Sequence, residues 1–423
     1  MKEDFLHYVW KFQKLKQTKF FTTQKQSVEI VKVGQHNTNA GPDFLCAQIR
    51  IENQLWAGHV EIHLRSSDWY LHHHEKDPAY DSVIMHVVWE HTTEIFRNDN
   101  TTIPTLVLSD IVQPATVAAY QKLFCKTAQW IPCEKYFPKV NDFEMEHWLE
   151  RLFFERLEQK SECIITELGR VTNHWEALLF RLLAKNFGLK VNGEAFYYMA
   201  SKVDYCVVKK CANKLHDLES LLFGCAGLLN KTEDDLYYAD LQNRFDFLRK
   251  KFGLTETCDI SPKYFRLRPA NFPTIRLAQL AMLYYPERSL FSKLIDMASI
   301  EDFYKLFDVV ASEYWDTHYN FGMASAKRKK RLTKKFINLL LINTVIPIKF
   351  CYAKYLGKDV SEEIIKLTMA IKAEENSVIT KFNALRPVAI NAIHSQGLLQ
   401  LKTAYCDKSG CLKCAIGNRM MTS

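Results

Sequence analysis

Acidic and imidazole side chains concentrate in one stretch of the 423-residue chain, residues 41–91. Asp43 lies at the entry to one predicted strand, and Glu61 lies in the next. Two carboxylates that converge on one point suit Mg²⁺ or Mn²⁺, hard cations that prefer oxygen ligands. Such an ion can polarise a phosphoryl oxygen and lower the pKa of bound water. His63 would face the same point and could orient or deprotonate that water.

Further side chains of this stretch are candidate members of the same site. Because a strand turns alternate side chains to opposite faces, His59 should share a face with Glu61 and His63. A turn with three consecutive histidines follows, and a later apolar strand carries one more. These candidate neighbours are His59, Asp68, His72, His74 and His86. Other interpretations stay open. The polar face of the strand with Glu61 could be solvated, the turn with three histidines could be solvated, and His86 could be a buried, hydrogen-bonded histidine.

Three cysteines near the end of the chain, Cys406, Cys411 and Cys414, form the pattern C-x4-C-x2-C. Close thiolates on a turn are typical of metal sites. Cys133 is the candidate fourth ligand, since its proline-flanked connector is a poor candidate for packed core. Zn²⁺ is the simplest occupant and would tie the end of the chain to the domain junction. Free buried thiols are the alternative.

Two basic segments of the second half are candidate nucleic-acid contacts. Arg268, Asn271 and Arg276 precede a predicted helix, where they could form a phosphate cradle. Residues 327–335 hold seven basic side chains in nine positions. The candidates in that run are Lys327, Arg328, Lys330 and Arg331. Alternatively, the arginines pair with carboxylates of neighbouring helices and the run is a solvated helix face.

The periodicity of apolar residues predicts an α+β fold. A helix at residues 2–16 precedes strands at 27–33, 44–52, 55–65, 82–90 and 102–108, with a short helix in 67–78 that has Ser67 as a possible N-cap. The predicted later helices are 114–124, 142–167, 175–187, 194–202, 234–252, 275–284, 300–307, 329–356, 362–384 and 388–404. The chain is therefore expected to form a mixed β-sheet domain at residues 1–140 and a large all-α domain at 141–423 that ends in the cysteine-rich turn.

Composition narrows the class of protein. The chain is 48% hydrophobic and 25% charged, as expected of a folded protein, and its net charge of +8 is compatible with an anionic partner. The longest apolar run, residues 336–348, is too short for a membrane helix and contains Asn343 and Pro347. We expect no membrane partner, and a cytoplasmic location because the N-terminus lacks the apolar core of a signal peptide.

Pro42-Asp43 followed by Glu61-Ile62-His63 resembles the signature of the PD-(D/E)XK nuclease superfamily, and the predicted order of elements is similar to its restriction-endonuclease-like core. The resemblance implies that Asp43 and Glu61 bind a divalent metal. In that superfamily a lysine two residues after the glutamate assists the attacking water, and here His63 occupies that position. Some members carry a [4Fe–4S] cluster held by one distant cysteine and three clustered ones, which the arrangement of Cys133 and the C-terminal cysteines resembles.

A second resemblance covers almost the whole chain. The phrases AGPDF, GHVEIH, WIPC, RPANFPTIRLAQLA and YCDKSGCLKCAIG resemble a bacterial family known as domain of unknown function 2851, which implies a shared architecture without an activity. The leading hypothesis is therefore a metal-dependent nuclease. The alternatives are a catalytically inactive nucleic-acid-binding protein, a helical interaction scaffold and a zinc hydrolase that uses the histidines.

Overall fold

The computed structural model describes residues 1–124, 129–254, 260–285 and 289–422, and the chain divides into two compact units. The sheet unit comprises Met1–Asp142 and Leu401–Ser423. The helical unit comprises Phe143–Gln400. From the sequence we predicted a boundary at residue 140, with all later residues in the helical domain. In the structure, Leu401–Ser423 belong to the sheet unit instead.

A seven-stranded mixed sheet forms the centre of the described part of the sheet unit. Its strands are β1 (Lys19–Phe21), β2 (Ser27–Lys32), β3 (Gln35–His36), β4 (Phe44–Ile51), β5 (Gln54–Arg65), β6 (Val83–Glu90) and β7 (Thr105–Val107). The strand order is β1-β2-β4-β5-β6-β7, with β3 also paired to β4. Pairing is antiparallel from β1 to β5 and parallel from β5 to β7. The mixed sheet is thus confirmed.

Three helices of this unit are α1 (Glu3–Lys11), α2 (Asp68–Leu71) and α3 (Pro114–Phe124). The apolar face of α1 packs in one core cluster with Val60 and Ile62 of β5, and both of these side chains are fully buried. The opposite face of β5 is covered as well, because the chain after this strand packs Trp69, Tyr80 and Val83 into a smaller cluster. Glu61 and His63 therefore lie on a closed polar face rather than a solvated one.

The predicted N-cap of α2 is not formed. Ser67 has helical dihedral angles and its side chain makes no capping hydrogen bond. The neighbouring Ser66 instead uses its hydroxyl oxygen to accept the backbone N–H groups of Thr92 and Thr93. Ser66 therefore joins the end of β5 to the segment after β6.

The helical unit contains long amphipathic helices around one large apolar core. Its helices are α4 (Asp142–Arg170), α5 (Trp175–Phe187), α6 (Leu189–Lys202), α7 (Tyr205–Cys211), α8 (Leu215–Cys225), α9 (Leu236–Phe252), α10 (Pro273–Tyr284), α11 (Leu290–Asp296), α12 (Ile300–Leu306), α13 (Lys334–Leu340), α14 (Ile346–Tyr355), α15 (Ser361–Met369), α16 (Ser377–Leu385) and α17 (Ala392–Gln400). The helical unit also contains a small hairpin, in which β8 (His318–Asn320) pairs with β9 (Met323–Ala324). The helix predicted at 362–384 is divided into α15 and α16.

A π-helical turn at Leu341–Val345 joins α13 to α14, so one helix runs over Lys334–Tyr355. Its 22 residues make it longer than the apolar run suggested, and by length and composition it could cross a membrane. However, 72% of its most apolar window is buried inside the protein, as expected for a core helix. A second π-helical turn, Leu401–Cys406, precedes the last helix, α18 (Ala415–Thr422).

Candidate metal centre

Asp43 and Glu61 anchor each other through the backbone where β4 begins beside β5. The Asp43 N–H donates to Glu61 Oε2 at 3.1 Å, and the Ile62 N–H donates to Asp43 Oδ2 at 3.0 Å. The antiparallel register, which pairs Phe44 with Val60, creates this proximity. Only 5% of Glu61 is exposed, and its burial raises the pKa of the carboxyl group, an effect that a hydrogen bond from His74 partly opposes.

Two imidazoles contact the other oxygen of Glu61, and a third contacts one of those imidazoles. Oε1 lies 3.3 Å from His74 Nε2 and 3.5 Å from His63 Nε2. His63 Nε2 in turn lies 3.1 Å from His72 Nδ1. We call these four residues the histidine–carboxylate cluster. The predicted neighbours His72 and His74 are thus placed beside Glu61 and His63.

The electrostatics of this cluster favour a neutral imidazole at His63. Burial, followed by the nearby rings of His74 and His72, lowers the pKa of His63 to about 3. Behind it, Nδ1 lies 2.8 Å from Nε2 of His86, which is fully buried and has a pKa well below its usual value for the same reason. At neutral pH both rings are therefore neutral, and in their contact one ring donates a proton to a lone pair of the other.

The turn after α2 brings His72 and His74 to β5. Between them, His73 adopts a left-handed conformation with φ of 59°, within the turn that joins α2 to the next short helix. The His74 ring stacks on Tyr80 with centroids 3.8 Å apart and is also stacked against His63 at 5.3 Å. The position of the His74 imidazole is therefore fixed both by ring packing and by its contact with Glu61.

A second group of potential ligands lies on the other side of Asp43 and was missed in the sequence. Glu3, His7 and Asp43 offer ligand atoms that all lie within 4.8 Å of one another. His7 Nε2 is 3.2 Å from Asp43 Oδ2, but without the angles of a good hydrogen bond. Burial, followed by the charge of Asp43, raises the pKa of Glu3 to about 7. The available signal was the four-residue spacing on one helix, which puts Glu3 and His7 on one face.

Two predicted neighbours have local structural roles. His59 Nδ1 accepts the N–H of Cys46 at 3.2 Å, at the irregular start of the β4–β5 pairing. Asp68 Oδ2 accepts the N–H of Arg65 at 3.0 Å, which joins α2 to the end of β5. Neither side chain belongs to the groups described above.

The four candidate cysteine ligands, which we call the cysteine quartet, all belong to the sheet unit. Burial, followed by the nearby thiols of Cys414 and Cys411, raises the pKa of Cys133 to about 12. Burial also raises the pKa of Cys406, with contributions from the other three thiols. The four thiols thus share one neighbourhood. Among the residues that the structure describes, however, no three of their sulfur atoms form a group within 4.8 Å.

Two of the predicted nucleic-acid contacts are buried inside the helical unit. Arg276 is 7% exposed and donates to Gln279 Oε1 at 2.8 Å and to Asn271 Oδ1 at 2.6 Å. Lys330 is 5% exposed and donates to the carbonyl of Asp316 at 2.8 Å. The prediction of a phosphate cradle at Arg276 and of a contact at Lys330 is therefore wrong, because internal partners already hold both cations.

The rest of the basic run is extended rather than helical, and α13 starts only at Lys334. Arg331 is paired with Asp308, while Lys327 and Arg328 are exposed. Arg268 is exposed too, just before the short turn that leads into α10. These exposed cations remain candidates for contacts with a polyanion.

A family model described as "Protein of unknown function (DUF2851)" matches residues 3–377. The chain belongs to this family. In this DUF2851 protein the matched residues include both ligand groups around Asp43 and Glu61, and also Cys133, whereas the three C-terminal cysteines follow them. No curated protein and no solved structure matches the chain significantly. The likeness to the PD-(D/E)XK core therefore stays a prediction.

Proposed function

We propose that the sheet unit hydrolyses phosphodiester bonds of nucleic acid with a divalent cation held by Asp43 and Glu61. The main support is the reciprocal anchoring of these carboxylates by backbone N–H groups, which fixes two oxygen donors side by side. Glu3 and His7 lie beside Asp43 and extend this donor set. Oxygen-rich ligands with one imidazole suit Mn²⁺ or Mg²⁺.

The bound ion would polarise a phosphoryl oxygen and acidify a water molecule. His63 would orient that water, as a hydrogen-bond acceptor or as the ligand of an ion that holds it, since burial keeps its imidazole neutral. Exposed cations such as Arg268, Lys327 and Arg328 would hold the phosphate backbone. The net charge of +8 agrees with a polyanionic substrate, and we place the activity in the cytoplasm.

We further propose that the cysteine quartet holds Zn²⁺ or a [4Fe–4S] cluster. Four sulfur donors are a set that soft or borderline metals prefer. Their shared neighbourhood, with one thiol from residue 133 and three from the C-terminal segment, supports this assignment. A bound metal would stabilise the sheet unit, because it would join Cys133 to the C-terminal segment, which is far from it in sequence.

Isosteric substitutions test the proposed activity. Asp43→Asn and Glu61→Gln keep the size of the side chain but remove its charge, so cleavage of single- and double-stranded DNA and RNA with Mn²⁺ should fall by about 100-fold or more. Glu29→Gln, which changes an exposed carboxylate of β2 paired with Arg50, is the matched control and should keep activity. Undiminished cleavage in both site variants would overturn the proposal.

A second candidate is a nucleic-acid-binding protein without catalysis. One observation favours it: both nitrogens of His63 already face other imidazoles, Nδ1 toward His86 and Nε2 toward His72. A base whose nitrogens are both engaged cannot take a proton from water without rearrangement. Salt-dependent binding of oligonucleotides without turnover in Mg²⁺, Mn²⁺ or Zn²⁺ would decide for this candidate.

A further inference from the structure

We infer that the histidine–carboxylate cluster is a binding site for a transition-metal ion of the Zn²⁺ or Co²⁺ class, with Glu61 Oε1, His63 Nε2, His72 Nδ1 and His74 Nε2 as its ligands. This ion is distinct from the harder cation proposed at Asp43. The inference deepens the proposed function and rests on it for the role of the ion in catalysis. Binding of the ion stands on the geometry alone.

The spacing of the donor atoms fits such an ion. Zn²⁺ binds imidazole nitrogens and carboxylate oxygens at about 2.0–2.2 Å, so two ligand atoms of a tetrahedral site lie about 3.3–3.5 Å apart. Oε1 of Glu61 lies 3.3 Å from the nitrogen of His74 and 3.5 Å from that of His63. The nitrogens of His63 and His72 are 3.1 Å apart. Glu61 Oε1 therefore has the spacing of a shared ligand toward His63 and His74, and the ligand atoms of the three histidines all lie within 4.8 Å of one another.

The chemistry of the donors selects the class of ion. Three imidazoles and one carboxylate are a poor set for Mg²⁺, which prefers oxygen ligands and retains its waters. Neutral imidazole suits Zn²⁺, Co²⁺ and related ions. Burial keeps His63 neutral, so this ligand need not lose a proton before binding. Glu61 can serve both ions, because its Oε2 faces Asp43 while its Oε1 faces the imidazoles.

Residues behind the ligands are arranged as outer support. An ion on His63 Nε2 leaves the ring proton on Nδ1, which then donates to Nε2 of His86 at 2.8 Å. His86 must in turn carry its proton on Nδ1, a buried atom that has no hydrogen-bond partner among the described residues. Ion binding would therefore fix the tautomers of both His63 and His86, with the proton on Nδ1 in each ring. Such outer partners orient metal-bound histidines and raise their basicity.

Titration of the metal-free, reduced full chain with Co²⁺ tests the inference. Nitrogen and oxygen ligation gives weak visible d–d bands, whereas thiolate ligation adds intense bands in the near ultraviolet, so this spectrum separates the cluster from the cysteine quartet. We expect one Co²⁺ with the first signature. His72→Ala should weaken its binding by about tenfold or more, at least the cost of losing an outer-shell partner. His74→Gln should do the same.

His73→Asn is the matched control, since asparagine tolerates the left-handed conformation and the position contributes no ligand. It should bind Co²⁺ as the unmodified chain does. Because His72 is exposed, its truncation leaves the packed rings in place and separates a ligand effect from misfolding. Unchanged d–d bands in His72→Ala, or thiolate bands alone in the unmodified chain, would overturn the inference. Histidine-dependent binding without any phosphodiester cleavage would instead overturn only the proposed function.

Discussion

The imidazoles of His63 and His86 and the thiols of Cys133 and Cys411 are all buried, but burial moves their pKa values in opposite directions. The imidazole pKa falls, to about 3 at His63, whereas the thiol pKa rises, to about 12 at Cys133 and about 11 at Cys411. Both shifts arise because a buried site disfavours the charged form. For imidazole the neutral form is the metal ligand, while for cysteine it is not.

The two regions therefore differ in how far folding prepares them for an ion. In the histidine–carboxylate cluster burial keeps His63 neutral, and Glu61 Oε1 lies at ligand spacing from the nitrogens of His63 and His74. In the cysteine quartet the thiols must lose protons and approach one another before an ion is enclosed. The first is a preformed site, and the second is one that an ion completes.

The largest expected effect is on stability at the cysteine quartet. If an ion completes this region, then Cys411→Ser combined with Cys414→Ser should lower the melting temperature of the sheet unit by about 10 °C or more, since structural metal ions contribute several kcal/mol to folding. Calorimetry with metal analysis measures this. Cys163→Ser, at an exposed thiol of α4, is the control. Equal melting temperatures for the unmodified chain, the double variant and Cys163→Ser would contradict a structural metal at the cysteine quartet.

The next effect is on the pH dependence of metal affinity. Each thiol that loses a proton on binding should add up to about a tenfold gain in affinity per pH unit below its pKa. Affinity for Zn²⁺ or Co²⁺ at the quartet should thus rise steeply between pH 7 and 9, while affinity at the histidine–carboxylate cluster should change far less. The two Co²⁺ signatures report both values in one sample. Parallel slopes would contradict the contrast between the regions.

Acid should weaken the fold through His63. Its folded-state pKa of about 3 lies below the usual value near 6.5, so its contribution is complete above pH 6.5 and is lost as the pH falls toward 3. Between pH 7 and pH 5 this amounts to about 2 kcal/mol. Urea unfolding at the two pH values, compared with His63→Gln, isolates the effect. An equal loss in both proteins would mean that His63 does not titrate as described.

The smallest effect extends the contrast between buried and exposed groups to the helical unit. Lys327→Ala and Arg328→Ala should each weaken oligonucleotide binding about equally for all sequences and reduce its salt slope by about one. Arg276→Met should leave the slope unchanged, because the guanidinium is held by Asn271 and Gln279. Affinity measured from 50 to 200 mM salt tests this. A reduced slope for Arg276→Met would show that the side chain reaches the ligand after all.

The sequence predicted the strand-borne half of the site because strands have a fixed period. Alternation put Glu61 and His63 on one face of β5, and the antiparallel pairing of β4 with β5 brought Asp43 to them. These relations depend on local geometry and on a short connection. They could be read from residue types and spacing alone.

Contacts that depend on tertiary packing could not be predicted from the sequence. Glu3 and His7 meet Asp43 only because α1 lies against β5, and His74 reaches Glu61 only because Tyr80 holds its ring and His73 turns the chain. The same limit explains the error at Arg276, since burial by distant side chains decided its role. Composition alone could not separate a buried arginine from an exposed one.

Anomalous diffraction from crystals soaked in Mn²⁺ and in Zn²⁺ would test most directly the claim that the sheet unit holds a preformed metal centre. We expect a Mn²⁺ peak beside Asp43 and Glu61, and a Zn²⁺ peak between Glu61 Oε1 and the rings of His63, His72 and His74, with little movement of these side chains. Absence of both peaks, or Zn²⁺ found only among the cysteines, would contradict it.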